Sequence, residues 1–359
     1  MILEEMEEQP GARLLLNLAC AVVVVYGLRY ASAILLPAAV ALFLAVLSLP
    51  IMLWLQRHRV PGLLRIVIPV VLNIAVFGLL VLLATRSLVQ FQGRVGVYAV
   101  ELQQLQASWI QALEARTELP VSTYIGTAFV DSSVVANFAR GLVGRAAELL
   151  GTTFLVFLIM AFMLSEASVF PEKFRYIMRG GVPGGRPAKV VTEVQAYVGI
   201  KTVVSLATGL LLGLWCWVMD LDFPVLLGVL AFLLHFIPTV GAIFAAVPAV
   251  MLSLILVGTV GHALAVAIGY AVVGTLLGHV LEPQLQGRQL GLSPLVLVLS
   301  LLFWGWAWGP MGALLAVPLT VVVKIWLENT PDLRWVAVLL DKAPPQPDSG
   351  APHDVPSGV

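Results

Sequence analysis

Polar side chains that could carry a proton or an ion are rare in this chain, and Glu282 is the most notable of them. It ends an apolar run and precedes Pro283, whose missing N–H leaves a backbone carbonyl without its usual helical partner. A carboxylate beside freed backbone at membrane depth is a candidate proton or sodium site. A solvated helix cap is the alternative interpretation.

Two histidines accompany this carboxylate. His235 lies inside an apolar run, and His279 lies one helical turn before Glu282. Imidazole changes its charge near neutral pH, so either ring could carry a proton or bond to freed carbonyls. A histidine with a purely structural role is the alternative for both. The sequence therefore predicts three candidates for ion coupling: Glu282, His235 and His279.

The elements that must position these groups contain a repeated pattern of proline and glycine, with its two copies roughly 70 residues apart. Each copy begins at a proline (Pro224, Pro294), has a proline-glycine cluster in the middle and closes on another proline. Breaks of this kind mark discontinuous helices at transport sites. Kinks in ordinary packed helices are the alternative. The predicted broken-backbone positions are Pro238, Gly241, Pro248, Pro283, Pro310, Gly312 and Pro318.

Composition places the chain in the membrane. It is 60% hydrophobic and 11% charged, with a mean hydropathy of +0.99. Several apolar runs reach the ~18–20 residues that cross a bilayer. The formal net charge of zero gives no indication of nucleic-acid binding. The acidic N-terminus favours a retained first span over a cleaved signal peptide.

The arginine and lysine residues predict an orientation. Arg57, Arg59 and Arg65 separate the second and third spans, which predicts cytoplasmic N- and C-termini. Lys201 and Lys324 should then lie at cytoplasmic span ends and snorkel, while Asp222 should lie in a solvated outer turn. Residues 223–257 and 293–326 each predict either two short spans or one re-entrant hairpin, and both alternatives preserve this orientation.

The predicted fold is an all-α polytopic membrane protein with roughly eight transmembrane helices or equivalents. Its two broken elements would have opposite topologies and form an inverted repeat, which is the basis of alternating access. The predicted regions are N-terminal transmembrane helices (1–88), an extracytoplasmic amphipathic helical region (89–147), a transmembrane helix (148–166), a cytoplasmic amphipathic segment with a Gly/Pro linker (167–199), two repeat halves (200–258 and 259–328) and a largely disordered cytoplasmic tail (329–359).

The extracytoplasmic region contains an apolar seam at three- and four-residue spacing, which is typical of an amphipathic helix. This seam could pack on a second helix of the same chain (Val135, Phe138, Leu142, Ala146), on a neighbouring subunit or on the lipid interface. Its members are Phe91, Val95, Tyr98, Leu102, Leu105, Trp109 and Leu113.

Three tryptophans and three glycine pairs fall in the repeated region. Trp304, Trp306 and Trp308 could belong to an interfacial belt or line a substrate path. Glycines spaced four apart favour close helix packing in lipid. These pairs are Gly209 and Gly213, Gly274 and Gly278, and Gly305 and Gly309.

Known catalytic patterns are missing from the sequence. It contains neither a His-Glu-x-x-His metal motif nor a Gly-x-Ser-x-Gly nucleophile turn, so an enzyme is not predicted. No phosphate-binding loop of the Gly-x-x-x-x-Gly-Lys-Ser/Thr type is present, so any pumping should draw on an ion gradient. We expect no cofactor and no bound metal.

The residues from about 220 to 326 resemble the autoinducer-2 exporter (AI-2E) family of bacterial membrane transporters. The resemblance implies export of small signalling molecules or metabolites, sodium–proton exchange in some members, and a homo-oligomer such as a pentamer. His235, Thr239 and His279 depart from the family pattern and leave the substrate open. The matching motifs are Phe236-Ile237-Pro238 with Gly241 and Pro248, Glu282-Pro283, Gly287-Arg288, Leu292-Ser293-Pro294, Trp304 to Gly309, and Ala316-Val317-Pro318.

The predicted function is therefore secondary transport: export of a small polar organic or signalling molecule across the bacterial inner membrane, driven by the proton gradient. A sodium–proton antiporter and a passive oligomeric channel or membrane scaffold are the alternatives. The expected partners are membrane lipid, a small-molecule or ion substrate and further copies of the chain, without nucleic acid.

Overall fold

The computed structural model describes residues 10–117, 153–167, 186–238, 240–286, 292–330 and 334–341, and these ranges are almost entirely helical. They contain no strand, only an isolated bridge between Leu292 and Asp341. The elements are α1 (Pro10–Tyr30), α2 (Ser32–Arg57), α3 (Gly62–Thr117), α4 (Thr153–Ala167), α5 (Arg186–Val218), α6 (Pro224–His235), α7 (Val240–Val257), α8 (Val260–Gly274), a π-helical segment (Thr275–Leu281), α9 (Glu282–Gln286), α10 (Pro294–Asn329) and α11 (Arg334–Leu340).

Six of the described helices are long and apolar enough to cross a membrane. They also expose large aliphatic side chains on their outer faces, such as Leu210, Ile243 and Leu264. Such surfaces are stable only against lipid or another protein. The predicted all-α polytopic membrane class is thus confirmed. The six candidate spans are Ser32–Arg57, Gly62–Arg94, Val194–Val218, Val240–Val257, Val260–Leu285 and Pro294–Glu328.

Helix α3 joins the predicted third span and the amphipathic region without a break. Its 56 residues make a rod about 84 Å long at 1.5 Å per residue. The first part of its apolar seam packs on the turn between α5 and α6, where the rings of Phe91 and Tyr98 contact Phe223. This contact within the chain differs from the three alternatives predicted for the seam. The second helix predicted as a partner lies outside the described residues.

Asp222 joins α3 to this turn. It accepts a hydrogen bond of 2.6 Å from the Tyr98 hydroxyl and pairs with the Arg94 guanidinium. Burial, together with the hydrogen bond to Asp222, raises the pKa of the Tyr98 hydroxyl, so it stays a donor at neutral pH. The expectation of a merely solvated aspartate was wrong, because the C-terminal half of α3 extends over this turn.

Helices α5 and α6 approach closely through glycines. A Cβ atom placed on Gly209 would lie 2.6 Å from the Phe232 Cβ and 2.7 Å from the Gly228 carbonyl oxygen. Gly213 also lies against Gly228, where an added Cβ would be 3.4 Å from the Cα. The close packing predicted for this glycine pair is confirmed, and it holds α6 antiparallel against α5.

Candidate functional site

The first broken element is a helical hairpin formed by α6 and α7, hereafter the first hairpin. Pro224 starts α6 at the position where proline is tolerated, and helical geometry is interrupted between His235 and Val240. A Cβ atom on Gly241 would lie 1.8 Å from the Leu234 carbonyl oxygen. Only glycine therefore allows α7 to begin directly against the end of α6.

The second broken element is also a hairpin, formed by the two arms of α10 (residues 294–308 and 310–329) and hereafter the second hairpin. Gly309 makes the turn with φ 67° and ψ −154°, a region essentially restricted to glycine. Across the arms, Trp304 Nε1 donates to Thr320 Oγ1 at 3.1 Å and the Thr320 hydroxyl donates to Ser300 at 2.8 Å. Gly309 was predicted as a packing glycine and serves instead as the turn.

The two hairpins meet. Ile237 and Val240, at the tip of the first, pack against a buried cluster in the second that includes Trp304 and Trp308. The tip of the second hairpin lies at the C-terminal end of α1, where Trp308 Nε1 donates to the Leu28 carbonyl oxygen at 3.0 Å.

The hairpins point in opposite directions. Buried Tyr197 and Val198 of α5, close to the tip of the first hairpin, pack with Val296 and Val321 at the open end of the second. The open end of the second hairpin thus lies beyond the tip of the first hairpin. Two hairpins that point in opposite directions are what an inverted repeat requires.

A buried ion pair lies beside the tip of the first hairpin. The Lys201 ammonium donates to both oxygens of Glu282, at 2.7 Å to Oε1 and 2.9 Å to Oε2. The Lys201 side chain is 5% exposed and that of Glu282 is 13% exposed. Two opposite charges held this closely at low dielectric stabilise each other strongly, and neither is stable there alone.

His235 completes this cluster. Its Nε2 atom lies 3.4 Å from Glu282 Oε2, at the outer limit of a hydrogen bond, so this buried nitrogen lacks a well-formed partner. The Ser205 hydroxyl, one turn after Lys201 on α5, is fully buried and also has no hydrogen-bond partner. Buried polar groups without partners are uncommon and accompany functional sites more often than packed cores.

Local backbone geometry brings Glu282 to this position. The π-helical segment Thr275–Leu281 directly precedes it, and such turns are frequent at functional sites. Gly278 within this segment lies against the imidazole, since a Cβ added there would be 3.4 Å from His235 Cε1. Gly274 lies similarly close to Ala242, at 3.7 Å from its Cβ. This glycine pair thus packs closely on the first hairpin, as predicted.

The remaining candidates lie elsewhere. The His279 side chain is exposed and lies outside the ion-pair cluster. Trp306 contacts Tyr26 and has the Arg29 guanidinium 4.4 Å above its ring. Of the proline and glycine positions, Gly241, Gly312 and Pro318 are buried, Pro238 and Pro248 are half-buried, and Pro283 and Pro310 are exposed.

Lys201 is the member of the cluster whose role sequence reasoning missed. It was expected to snorkel to the interface, but it is buried and paired, because Glu282 is brought to it from 81 residues away. Lys324 was also expected to snorkel and is instead buried, with Nζ 3.1 Å from an Asp341 oxygen. One signal was present in the sequence: Lys201, Ser205 and Thr208 share one face of α5.

Comparison with known proteins places the chain among transporters. The chain is 34% identical over 340 residues to the AI-2 transport protein TqsA of Escherichia coli, covering 92% of this chain and 96% of that protein. A putative transport protein of Haemophilus influenzae is 34% identical, covering 91% of this chain and 96% of its own length. The putative transport protein YhhT of Escherichia coli is 32% identical, covering 96% and 98%. Residues 18–332 match the family described as AI-2E family transporter, and the chain therefore belongs to this family of bacterial membrane transport proteins and is not an enzyme.

Proposed function

We propose that this transporter is a secondary exporter of a small polar organic or signalling molecule, driven by the proton gradient across the bacterial inner membrane. The observation that supports this proposal is the buried Lys201–Glu282 pair beside the tip of the first hairpin. An ionisable pair at membrane depth is a reason to expect ion coupling. The autoinducer-2 in the name of TqsA is the first substrate to try.

The proposed mechanism begins at the Glu282 carboxylate. A proton that binds there removes the negative charge and releases the Lys201 ammonium, which then lacks its buried counter-ion. The pair is thereby a two-state element, because its paired and released forms favour different positions of the neighbouring tip of the first hairpin. A ligand or ion can shift such an equilibrium only by binding the two states with different affinities.

The two hairpins are proposed to be re-entrant and to form the substrate site between them. Helix α6 has 12 residues and is about 18 Å long, shorter than the ~30 Å hydrocarbon core. In a re-entrant arrangement the tip of the first hairpin would end within the membrane, where its broken backbone between α6 and α7 could bind a polar substrate. We further propose cytoplasmic termini and a homo-oligomeric assembly.

Transport in proteoliposomes tests this function. Purified protein is reconstituted with a dye for internal pH, and labelled autoinducer-2 and a panel of small polar metabolites are offered with and without an imposed pH gradient. We expect one of these compounds to accumulate with the gradient and the accumulation to collapse with a protonophore. Equal concentrations of the compound inside and outside the proteoliposomes, with or without the pH gradient, would indicate a passive channel. Proton movement evoked by sodium alone would indicate a sodium–proton antiporter.

A further inference from the structure

The Lys201 ammonium lies where a metal cation bound to the Glu282 carboxylate would lie. Its Nζ atom contacts both carboxylate oxygens, at 2.7 Å and 2.9 Å. A sodium ion bound by this carboxylate would be held at short range by one or both of these oxygens, and Nζ already contacts both of them. Sodium and Lys201 therefore compete for one position.

Tethering gives Lys201 the advantage in this competition. The ammonium is attached to α5 and already lies against both oxygens of Glu282, so it need not be recruited from solution. Lys201 is also 4% exposed, and a buried ammonium that loses its carboxylate is left without compensation. Sodium would have to remove this ammonium and leave a second positive charge nearby.

A proton also leaves the Lys201 ammonium without its counter-ion, but it does not need the position that Nζ occupies. It binds a single carboxylate oxygen and needs no coordination shell. Glu282 Oε2 faces the unsatisfied Nε2 of His235 at 3.4 Å, which provides a neighbouring group able to take up or release that proton.

From this geometry we propose that Lys201 is a selectivity residue, a tethered cation that excludes sodium from Glu282 and leaves the proton as the ion that acts on this carboxylate. The inference rests on the proposed function, in which Glu282 is the coupling residue.

Removal of the tethered cation should open the position to sodium. In the Lys201→Gln variant the Glu282 carboxylate would lose its counter-ion. The Ser205 hydroxyl, fully buried one turn away on the same face of α5 and without a partner, would supply a further oxygen ligand. The amide oxygen of the introduced glutamine would supply another.

Thermal unfolding of the purified protein tests this proposal without any transport assay. Melting temperatures are measured at fixed pH in sodium chloride and in choline chloride of equal ionic strength. The wild type should melt at the same temperature in both salts. Lys201→Gln should melt several degrees higher in sodium, by roughly 3–10 °C at saturation.

Matched variants isolate the cause. Lys201→Arg keeps the tethered charge and should not respond to sodium, and the double variant Lys201→Gln/Glu282→Gln lacks the carboxylate and should not respond either. Because Lys201→Gln could fail to fold, Glu282→Asp provides a second test. It keeps both charges but withdraws the carboxylate from the ammonium by about one methylene, so it should gain a smaller sodium response.

Two results would overturn the inference: a wild type that sodium already stabilises, or Lys201→Gln and Glu282→Asp variants that sodium leaves unchanged. The proposed function would fail on a different result, namely transport by the wild type that does not depend on the pH gradient. Melting temperatures do not depend on that result, so the two failures are distinguishable.

Discussion

Lys201 and Glu282, 81 residues apart in the chain, form a bidentate ion pair with oxygen contacts of 2.7 Å and 2.9 Å. The pair joins the start of the membrane-spanning part of α5 to the end of the π-helical segment after α8. It therefore links α5 directly to the segment that follows α8, next to the tip of the first hairpin. Any movement of α5 against that segment must keep or break this contact.

The first prediction concerns the energy of this pair. Lys201→Ala should destabilise the protein by about 3–5 kcal/mol, because it leaves the carboxylate buried without compensation. The double variant Lys201→Met/Glu282→Gln should lose less stability than Lys201→Met and Glu282→Gln lose in sum, because the effects of contacting residues are not additive. Unfolding in a denaturant series measures the free energy of unfolding of the wild type, of Lys201→Ala and of these three variants. Additive costs would show that the pair contributes little.

The second prediction concerns His235. His235→Gln should lower gradient-driven transport by about 100-fold, the lower end of what a positioned proton-transfer group contributes. Melting temperature should change little, because the Nε2 atom has no well-formed partner to lose. His58→Gln is the control, since His58 is exposed at the end of α2, where it bonds to the Trp54 carbonyl oxygen and lies 4.2 Å from the Trp54 ring, far from Glu282 in sequence. Equal transport by both variants would contradict a role for His235.

The third prediction concerns the turn of the second hairpin. Gly309→Ala should destabilise the protein by about 1–3 kcal/mol, because alanine rarely adopts φ 67° with ψ −154°. A Cβ there would meet nothing within 4 Å, so the cost would be conformational rather than steric. Gly261→Ala, at a helical glycine with the same open surroundings, is the control for the melting experiment. Matching melting temperatures would show that the turn tolerates alanine.

The fourth prediction concerns the contact between α5 and α6. Gly209→Ala would place a Cβ 2.6 Å from the Phe232 Cβ and should cost about 1–3 kcal/mol through overpacking. Gly199→Ala, in the same helix with nothing within 4 Å, should be neutral or stabilising by up to about 1 kcal/mol. Denaturant unfolding of the two variants distinguishes packing from helix propensity. A Gly209→Ala protein as stable as the wild type would disprove the close approach.

The fifth prediction concerns orientation. In a variant with Cys20 and Cys216 replaced by serine, a cysteine at Ser108 should react with an impermeant maleimide in intact cells. A cysteine at Arg59 should react only after the membrane is permeabilised, because arginines near span ends favour the cytoplasmic face. Labelling of both variants in permeabilised membranes is the control. The reverse pattern would place the termini outside.

Much of the fold follows from local properties of the sequence. Runs of apolar residues as long as a bilayer is thick predicted the helices, because in lipid each backbone group must find its partner within its own helix. The proline-glycine pattern predicted both broken elements for a similar reason. Proline cannot donate a hydrogen bond, so the interruptions at Pro238 and Pro310 are local consequences of residue type.

Other features depended on contacts between distant segments. Local sequence could not distinguish Gly309 as a turn from Gly209 as a packing contact, since both occur at four-residue spacing in apolar helices. The docking of the C-terminal half of α3 on Asp222 was also hidden, because Arg94 and Tyr98 precede it by 128 and 124 residues.

The sequence by itself thus determined the membrane class, the helices and their breaks, and Glu282 as the leading candidate for ion coupling. Only the tertiary structure decided what that carboxylate contacts. A lysine near a span end can snorkel to the interface or stay buried, and the choice depends on whether an anion is within reach. For Lys201 that anion comes from a residue 81 positions later in the chain, so the folded chain alone could reveal the pair.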